Sequence, residues 1–186
     1  LTTVPIADIQ SINHLFFSHL HMDHVAGLDT FIRCNFAREN IFNAIWGPAN
    51  TSVILQHRFQ GYLWNLHKDM QGTWNFFDVE ASGVQHSRLE LAEAFATLHD
   101  EGVKAYPDSL LVDTDDYTVE AHIMNHNTPS IAYLLREKNR QNIDRKRLQD
   151  LGLRPGAWMQ KLKSGEEGSV EIAGEKHSLQ ELRQKL

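Results

Sequence analysis

The sequence of 186 residues contains a single cysteine, Cys34, and only five prolines. One cysteine excludes an internal disulfide, so the fold depends on its core rather than on covalent cross-links. No apolar run reaches the roughly 18 residues that a membrane-spanning helix needs, and no charged-then-apolar leader opens the chain. Internal repeats and low-complexity linkers are also absent. These absences favour one globular domain, and we expect a cytoplasmic protein without membrane contact.

The formal charge of −6, from 18 basic and 24 acidic residues, argues against nucleic-acid binding by the surface as a whole. Basic residues nevertheless concentrate in one segment, because residues 136–163 hold nine Lys or Arg against three Asp or Glu. The segment carries a charge of +6 and the rest of the chain −12. A basic arm on an acidic body is typical of an enzyme that holds nucleic acid at a dedicated site. A solvated charged helix is the alternative.

Hydrophobic periodicity predicts a mixed α/β fold in which helices interrupt strands. Strands are predicted at residues 12–18, 42–46, 76–81, 86–97, 109–112, 117–124, 130–136 and 169–172. Helices are predicted at residues 24–38, from about residue 50 to 66, and from Ser178 onward.

Histidine is the unusual count, with 11 residues, and four metal-binding side chains fall within six positions after the first predicted strand. In an extended chain alternate residues share a face, so His19, His21 and Asp23 are expected to point the same way. His24, at the predicted helix start, faces an adjoining position. Imidazole and carboxylate suit zinc, and two adjacent ions can clamp a phosphate or carbonyl oxygen. We therefore predict a metal site here, with purely structural histidines as the alternative.

The segment from Phe16 to Leu28, which contains His-x-His-x-Asp-His, resembles the signature of the metallo-β-lactamase superfamily of hydrolases. Further stretches are similar to ribonuclease Z, the family of zinc-dependent endonucleases that trim tRNA 3′ ends. These stretches are Trp46-Gly47-Pro48, His126 with Pro129 to Tyr133, Arg136-Glu137, and an arm-like pattern at Asp144, Leu148, Gly152, Pro155-Gly156 and 162–165. Met22 stands where that family usually has glycine, and Ala157-Trp158 follow Gly156 where it typically has Gly-Pro.

The resemblance implies a four-layer αββα sandwich made of two similar halves. Only 18 residues precede His19, and no bridging aspartate or last histidine in a matching motif follows the basic segment. We therefore expect residues 1–186 to form an incomplete metallo-β-lactamase domain that lacks the opening strands and much of the second half. Residues from about 136 to 168 are expected to form an arm that resembles a tRNA-binding exosite. An incomplete sandwich is expected to expose apolar sheet surface and to associate.

The resemblance also implies two zinc ions in a complete site, with Mn²⁺ as the alternative metal, and this chain supplies five of the seven ligands. Carried over by position, the ligands of one ion are His19, His21 and His126, and those of the other are Asp23 and His24. Asp23 would in addition orient or deprotonate the attacking water, because a metal-bound carboxylate can accept a proton while it stays fixed. In the arm, Lys161 and Lys163 are expected to bind substrate. A homodimer is a further implication of the family.

The sequence therefore predicts a zinc-dependent phosphodiesterase of the ribonuclease Z type, in which water attacks a phosphodiester of a tRNA precursor and leaves a 3′-hydroxyl. Two alternatives stay open. One is a hydrolase of the same fold that acts on a small ester, a sulfate or a cyclic nucleotide. The other is a catalytically silent domain that binds through its basic arm.

Overall fold

The computed structural model describes residues 3–39, 41–65, 68–125, 127–138 and 143–186. The chain divides into two compact units, Leu1–Arg136 and Glu137–Leu186. Within the described residues, two apolar cores belong to the first unit and one to the second. No helix in this part of the chain is long and apolar enough to cross a membrane.

A five-stranded sheet forms the centre of the first unit, and its strands lie side by side in chain order. They are β1 (His14–Phe16), β2 (Asn43–Pro48), β3 (Thr73–Glu80), β4 (Gly83–Glu90) and β5 (His99–Lys104). β1, β2 and β3 run parallel, whereas β4 and β5 are antiparallel to their neighbours. Because parallel strands end at the same edge of a sheet, the loops that follow β1, β2 and β3 emerge together. We call this the carboxyl edge.

Helices pack on one face of this sheet. They are α1 (Ile6–Ser11), α2 (Leu28–Asn35) and α3 (Thr51–Phe59). Leu28, Phe31 and Phe59 of the helices belong to one core with Ile45 and Phe76 of the strands. Burying a side chain of this size stabilises a fold by about 1.5–3 kcal/mol. The helical layer therefore fixes the connections between the parallel strands.

A second sheet packs on the opposite face of the first, with the strand order β6–β7–β8. Its strands are β6 (Leu110–Asp113), β7 (Tyr117–Asn125) and β8 (Pro129–Glu137). Trp46 and Phe77 pair across β2 and β3, their ring centroids lie 4.0 Å apart, and both share a core with Val119 and Ile131 of the second sheet. Helices and two sheets form three successive layers, so the predicted mixed α/β class is confirmed.

The predicted helices differ from the observed ones at their ends. The helix expected from His24 begins at Leu28. The helix expected to reach about residue 66, which lies outside the described residues, ends at Phe59. The indole N–H of Trp64 donates to the Phe59 carbonyl at 2.8 Å. This hydrogen bond satisfies a carbonyl that a further helical turn would otherwise have used.

The second unit contains three helices among its described residues and one antiparallel hairpin. In chain order these are α4 (Arg145–Asp150), α5 (Trp158–Lys163), β9 (Ser169–Ile172), β10 (Glu175–Ser178) and α6 (Leu179–Lys185). The guanidinium of Arg183 donates to the carbonyls of Lys161, Leu162 and Glu166, so α6 is held against the end of α5. The segment predicted as a basic arm makes up much of this unit, which extends to Leu186.

Candidate metal centre

The loop that follows β1 is held at its start by both sheets of the first unit. The amide of Phe17 donates to the carbonyl of Trp46 in β2 at 2.8 Å. The carbonyl of Ser18 accepts from the amide of Ile131 in β8, also at 2.8 Å. The hydroxyl of Tyr133 donates to the Phe17 carbonyl at 3.0 Å. Burial raises the pKa of Tyr133, so its hydroxyl stays a neutral donor at this position.

Three imidazole rings meet in this loop at the carboxyl edge. The ring centroid of His19 lies 4.6 Å from that of His21 and 4.1 Å from that of His24. A carboxylate oxygen of Asp23 lies 3.6 Å from Nε2 of His24. The side chains of Asp23 and His24 are 80% and 48% exposed, so ions and solvent can reach them.

Turns, and not an extended strand, produce this cluster. β1 ends at Phe16, and the amides of His24 and Val25 both donate to the carbonyl of His21, at 3.0 and 3.3 Å. The chain is therefore turned from His21 to His24, and not extended through Asp23 as the sequence predicts. The chain turns back at His21, and this turn brings the ring of His24 to that of His19.

The donor set fits a zinc ion in its chemistry. Neutral imidazole and carboxylate are the ligands that zinc and similar divalent ions take in proteins. Among the described residues, however, no group of three or more His, Cys, Asp or Glu side chains has the arrangement needed to hold an ion. His126, the remaining predicted ligand, lies outside the described residues. The loop thus brings ligands together without completing a coordination shell within the described part of the chain.

A buried carboxylate fixes the next loop along the carboxyl edge. Asp78 of β3 accepts hydrogen bonds from the amide of Ser52 at 2.9 Å and from its hydroxyl at 2.8 Å. The residue is only 4% exposed. Burial raises the pKa of Asp78, and the hydrogen bonds from Ser52 oppose that shift. Asp78 therefore holds the start of α3, and with it the loop after Pro48, against the end of β3.

The two predicted substrate-binding lysines lie in the second unit. Lys161 and Lys163 are exposed on α5, and Leu162 between them is 3% exposed in the core of that unit. The helix is thus anchored through Leu162 while both ammonium groups stay at the surface. This placement suits attraction of a polyanion, and the role of the lysines stays a prediction.

Asp78, Tyr133 and Ser130 have structural features that the sequence reasoning did not identify. Asp78 carries one signal, an acidic residue directly after the apolar pair Phe76-Phe77 in a predicted strand. Tyr133 lies in a stretch that resembles the family, but nothing in the sequence indicates its contact with Phe17, which lies 116 positions earlier. Ser130 is 6% exposed, and its hydroxyl has no hydrogen-bond partner within the described residues.

Comparison with known proteins identifies relatives of this chain. The family model described as a β-lactamase superfamily domain matches residues 2–141. Ribonuclease Z of Deinococcus radiodurans is 44% identical over 186 residues, which are 100% of this chain and 56% of the relative. Ribonuclease Z of Pyrococcus abyssi is 25% identical over 174 residues, covering 92% of this chain and 46% of the relative. The enzyme of the same name from Methanocaldococcus jannaschii is 24% identical over 157 residues, covering 83% and 40%. The chain thus spans about half the length of these curated relatives.

Proposed function

The chain belongs to the β-lactamase superfamily, and from this membership we propose that it carries a zinc-binding face of a ribonuclease Z-like phosphodiesterase that acts on the 3′ ends of tRNA precursors. The convergence of His19, His21 and His24 beside Asp23 is the observation that carries the proposal. It lies where the loops of parallel strands emerge, which is where α/β folds place their ligand sites.

Each residue of the loop has a proposed role. His19 and His21, together with His126, bind one zinc or manganese ion, and Asp23 and His24 bind a second. Such a pair of ions supplies an activated water and neutralises charge on the phosphate. The Asp23 carboxylate orients that water and accepts its proton, and the 80% exposure of this side chain leaves it accessible to substrate.

The basic second unit supports RNA as the substrate. Lys161 and Lys163 present cations on one short helix, in a segment whose charge is opposite to that of the rest of the chain. Phosphodiester backbones bind such surfaces through release of their counterions. We therefore assign the two lysines to the tRNA body and the histidine loop to the scissile phosphodiester.

A catalytically silent binding domain is the second candidate function. It is favoured by the incomplete ligand arrangement within the described residues. In that case the basic unit would bind RNA and the histidine loop would hold no ion tightly.

Metal stoichiometry is the experiment that tests the proposal. About two zinc ions per chain, found by elemental analysis of the purified protein, would support a complete site, and a His21→Ala variant should lose zinc. His57→Ala, which removes an exposed histidine of α3, is the matched control and should retain it. Zinc content of one or none, or content unchanged by His21→Ala, would overturn the complete site and favour the silent domain.

A cleavage assay then separates the substrate classes. A tRNA precursor with a 3′ trailer should yield a product with a 3′-hydroxyl, whereas bis-(p-nitrophenyl) phosphate represents small phosphodiesters. Asp23→Ala should lower the cleavage rate by about 10²–10⁴-fold, the usual range for loss of a positioned acid or base. Asp69→Ala removes an exposed acidic residue and should leave the rate unchanged. Turnover of the small substrate alone would replace RNA with a small ester as the substrate class.

A further inference from the structure

A cavity at the carboxyl edge is the feature that carries a further inference, which rests on the proposed function. We propose that this cavity binds the nucleobase adjacent to the scissile phosphodiester. It is lined by the ends of β2 and β3 and by the facing ends of β7 and β8. Its lining includes Pro48, Val79, Glu80, Ile123, Ser130 and Ile131.

The cavity lies directly beside the histidine loop. Ile131 lines it, and the amide of Ile131 donates to the carbonyl of Ser18 at 2.8 Å. Ser18 is the residue before His19, and its hydroxyl lies 3.1 Å from Nδ1 of that histidine. One residue therefore separates the wall of the cavity from the first imidazole of the cluster. A nucleotide with its phosphate at the histidines has its base within reach of the cavity.

Size and lining suit a neutral flat ring. The volume of about 310 Å³ falls at the lower end of the range for ligand pockets, ~300–1,000 Å³. Pro48, Val79 and Ile131 supply apolar walls against which the face of a base can pack, as bases do in the pockets of nucleic-acid enzymes. Glu80 also lines the cavity, and its carboxylate disfavours a second phosphate there. The cavity is therefore suited to the base and not to the backbone.

Glu80 supplies the cavity with a group that can bind the edge of a base. Glu80 lines the cavity, and an amino or imino N–H of a base can donate to its carboxylate. Ser130 also lines the cavity, but its Oγ is buried, so we assign the polar contact to Glu80.

The test compares probes with and without a base. Adenosine 5′-monophosphate and ribose 5-phosphate are titrated into the full chain, and binding is followed by NMR chemical shifts of the backbone amides. We expect the nucleotide to bind at least tenfold more tightly, with the largest shifts at Ser130 and Ile131. Equal affinities, or shifts that avoid these residues, would overturn the proposal.

Substitutions locate the binding. Ile123→Trp fills the cavity and should abolish the preference for the nucleotide, whereas Ile54→Trp, at a position with the same 48% exposure on α3, should preserve it. Retained preference in Ile123→Trp would contradict the assignment.

Zinc content, measured in the same variants, separates this inference from the proposed function. If the proposed function fails, zinc is absent but the nucleotide preference and its loss in Ile123→Trp persist. If the inference fails, zinc and cleavage are normal while the preference is absent or insensitive to Ile123→Trp.

Discussion

Asp78 is a buried carboxylate whose two hydrogen bonds to Ser52 stabilise the start of α3. We expect Asp78→Ala to lower the free energy of unfolding by about 1–3 kcal/mol, because the amide and hydroxyl of Ser52 lose their acceptor. Urea denaturation followed by circular dichroism measures this change. Asp69→Ala, at an exposed position, should alter the free energy little. A loss for Asp78→Ala no larger than for Asp69→Ala would contradict the prediction.

Asp78 should also make the stability of the fold depend on pH. The pKa of Asp78 is raised in the folded protein, first by burial and then by Glu80, so the folded state binds a proton more readily than the unfolded state. Its contribution to stability is fully present below the unfolded pKa and is lost as pH rises through the folded pKa. The wild type should therefore gain stability relative to Asp78→Asn as pH falls from 7 toward 4. A pH-independent difference between the two proteins in urea titrations would show that Asp78 does not titrate in this way.

At the scale of single residues, the sequence indicates that the candidate ligands lie close together, but it does not indicate which residues hold their loop in place. His19, His21 and His24 stand within six positions, so their proximity follows from the chain itself. Tyr133 and Ile131 reach the same loop only after two sheets have packed together. No local pattern announces such contacts, because their partners are more than a hundred positions apart.

At the scale of elements, α5 makes a testable prediction for RNA binding. Lys161→Glu combined with Lys163→Glu should weaken binding of the tRNA precursor and flatten its salt dependence by about 0.7–0.9 in log–log slope for each phosphate that is no longer neutralised. Filter binding or fluorescence anisotropy at several salt concentrations measures both quantities. Lys176→Glu combined with Lys185→Glu, which reverses two exposed lysines of β10 and α6 in the same unit, is the matched control. If the control weakens binding equally, general charge and not this helix attracts the RNA.

β5 shows why some elements could not be predicted. The sequence His99–Lys104 contains two acids and a glycine and has no alternating apolar pattern. It forms a strand because its backbone pairs with β4 and its acidic side chains bind polar and basic side chains of that strand. Gln85 donates to Asp100 at 2.7 Å, and Arg88 pairs with Glu101. Cross-strand pairs of this kind supply strand preference that hydrophobic periodicity does not reveal.

The paired strands β6 and β7, in contrast, were predicted at nearly their observed positions. The acidic residues Asp113, Asp115 and Asp116 separate their apolar residues, and the two strands pair antiparallel. A clear turn between two apolar runs is a local signal. Strand positions can therefore be predicted from the sequence where the pairing is local. They cannot be predicted where a strand forms only against a distant neighbour.

At the scale of the whole molecule, the second sheet has an exposed edge. Within the described part of the chain β8 is an edge strand of this sheet, and it exposes apolar side chains. Leu134 and Leu135 are 38% and 59% exposed. Edge strands with apolar residues favour pairing between chains. We expect the protein to self-associate and Leu135→Lys to weaken the association constant by about tenfold or more, because one leucine contributes roughly 1.5–3 kcal/mol when buried.

Sedimentation velocity over a range of protein concentrations measures this association. The control is Leu63→Lys, which removes a leucine that is 95% exposed and lies outside the sheets. Weakening by Leu63→Lys but not by Leu135→Lys would place the interface elsewhere on the chain.

The bonds between the histidine loop and β8 have a consequence for the order of folding. The loop leaves the ribosome early, but the groups that hold its first carbonyls belong to Ile131 and Tyr133, and the Tyr133 hydrogen bond spans 116 positions. Bringing the ends of so long a segment together is slow, because it costs conformational entropy. The contacts that offset this cost form only when both sheets pack. We therefore expect the start of the loop to be fixed among the last steps of folding of the first unit. A nascent chain that stops short of β8 carries every histidine of the loop, but it lacks the bonds that hold the loop against the second sheet.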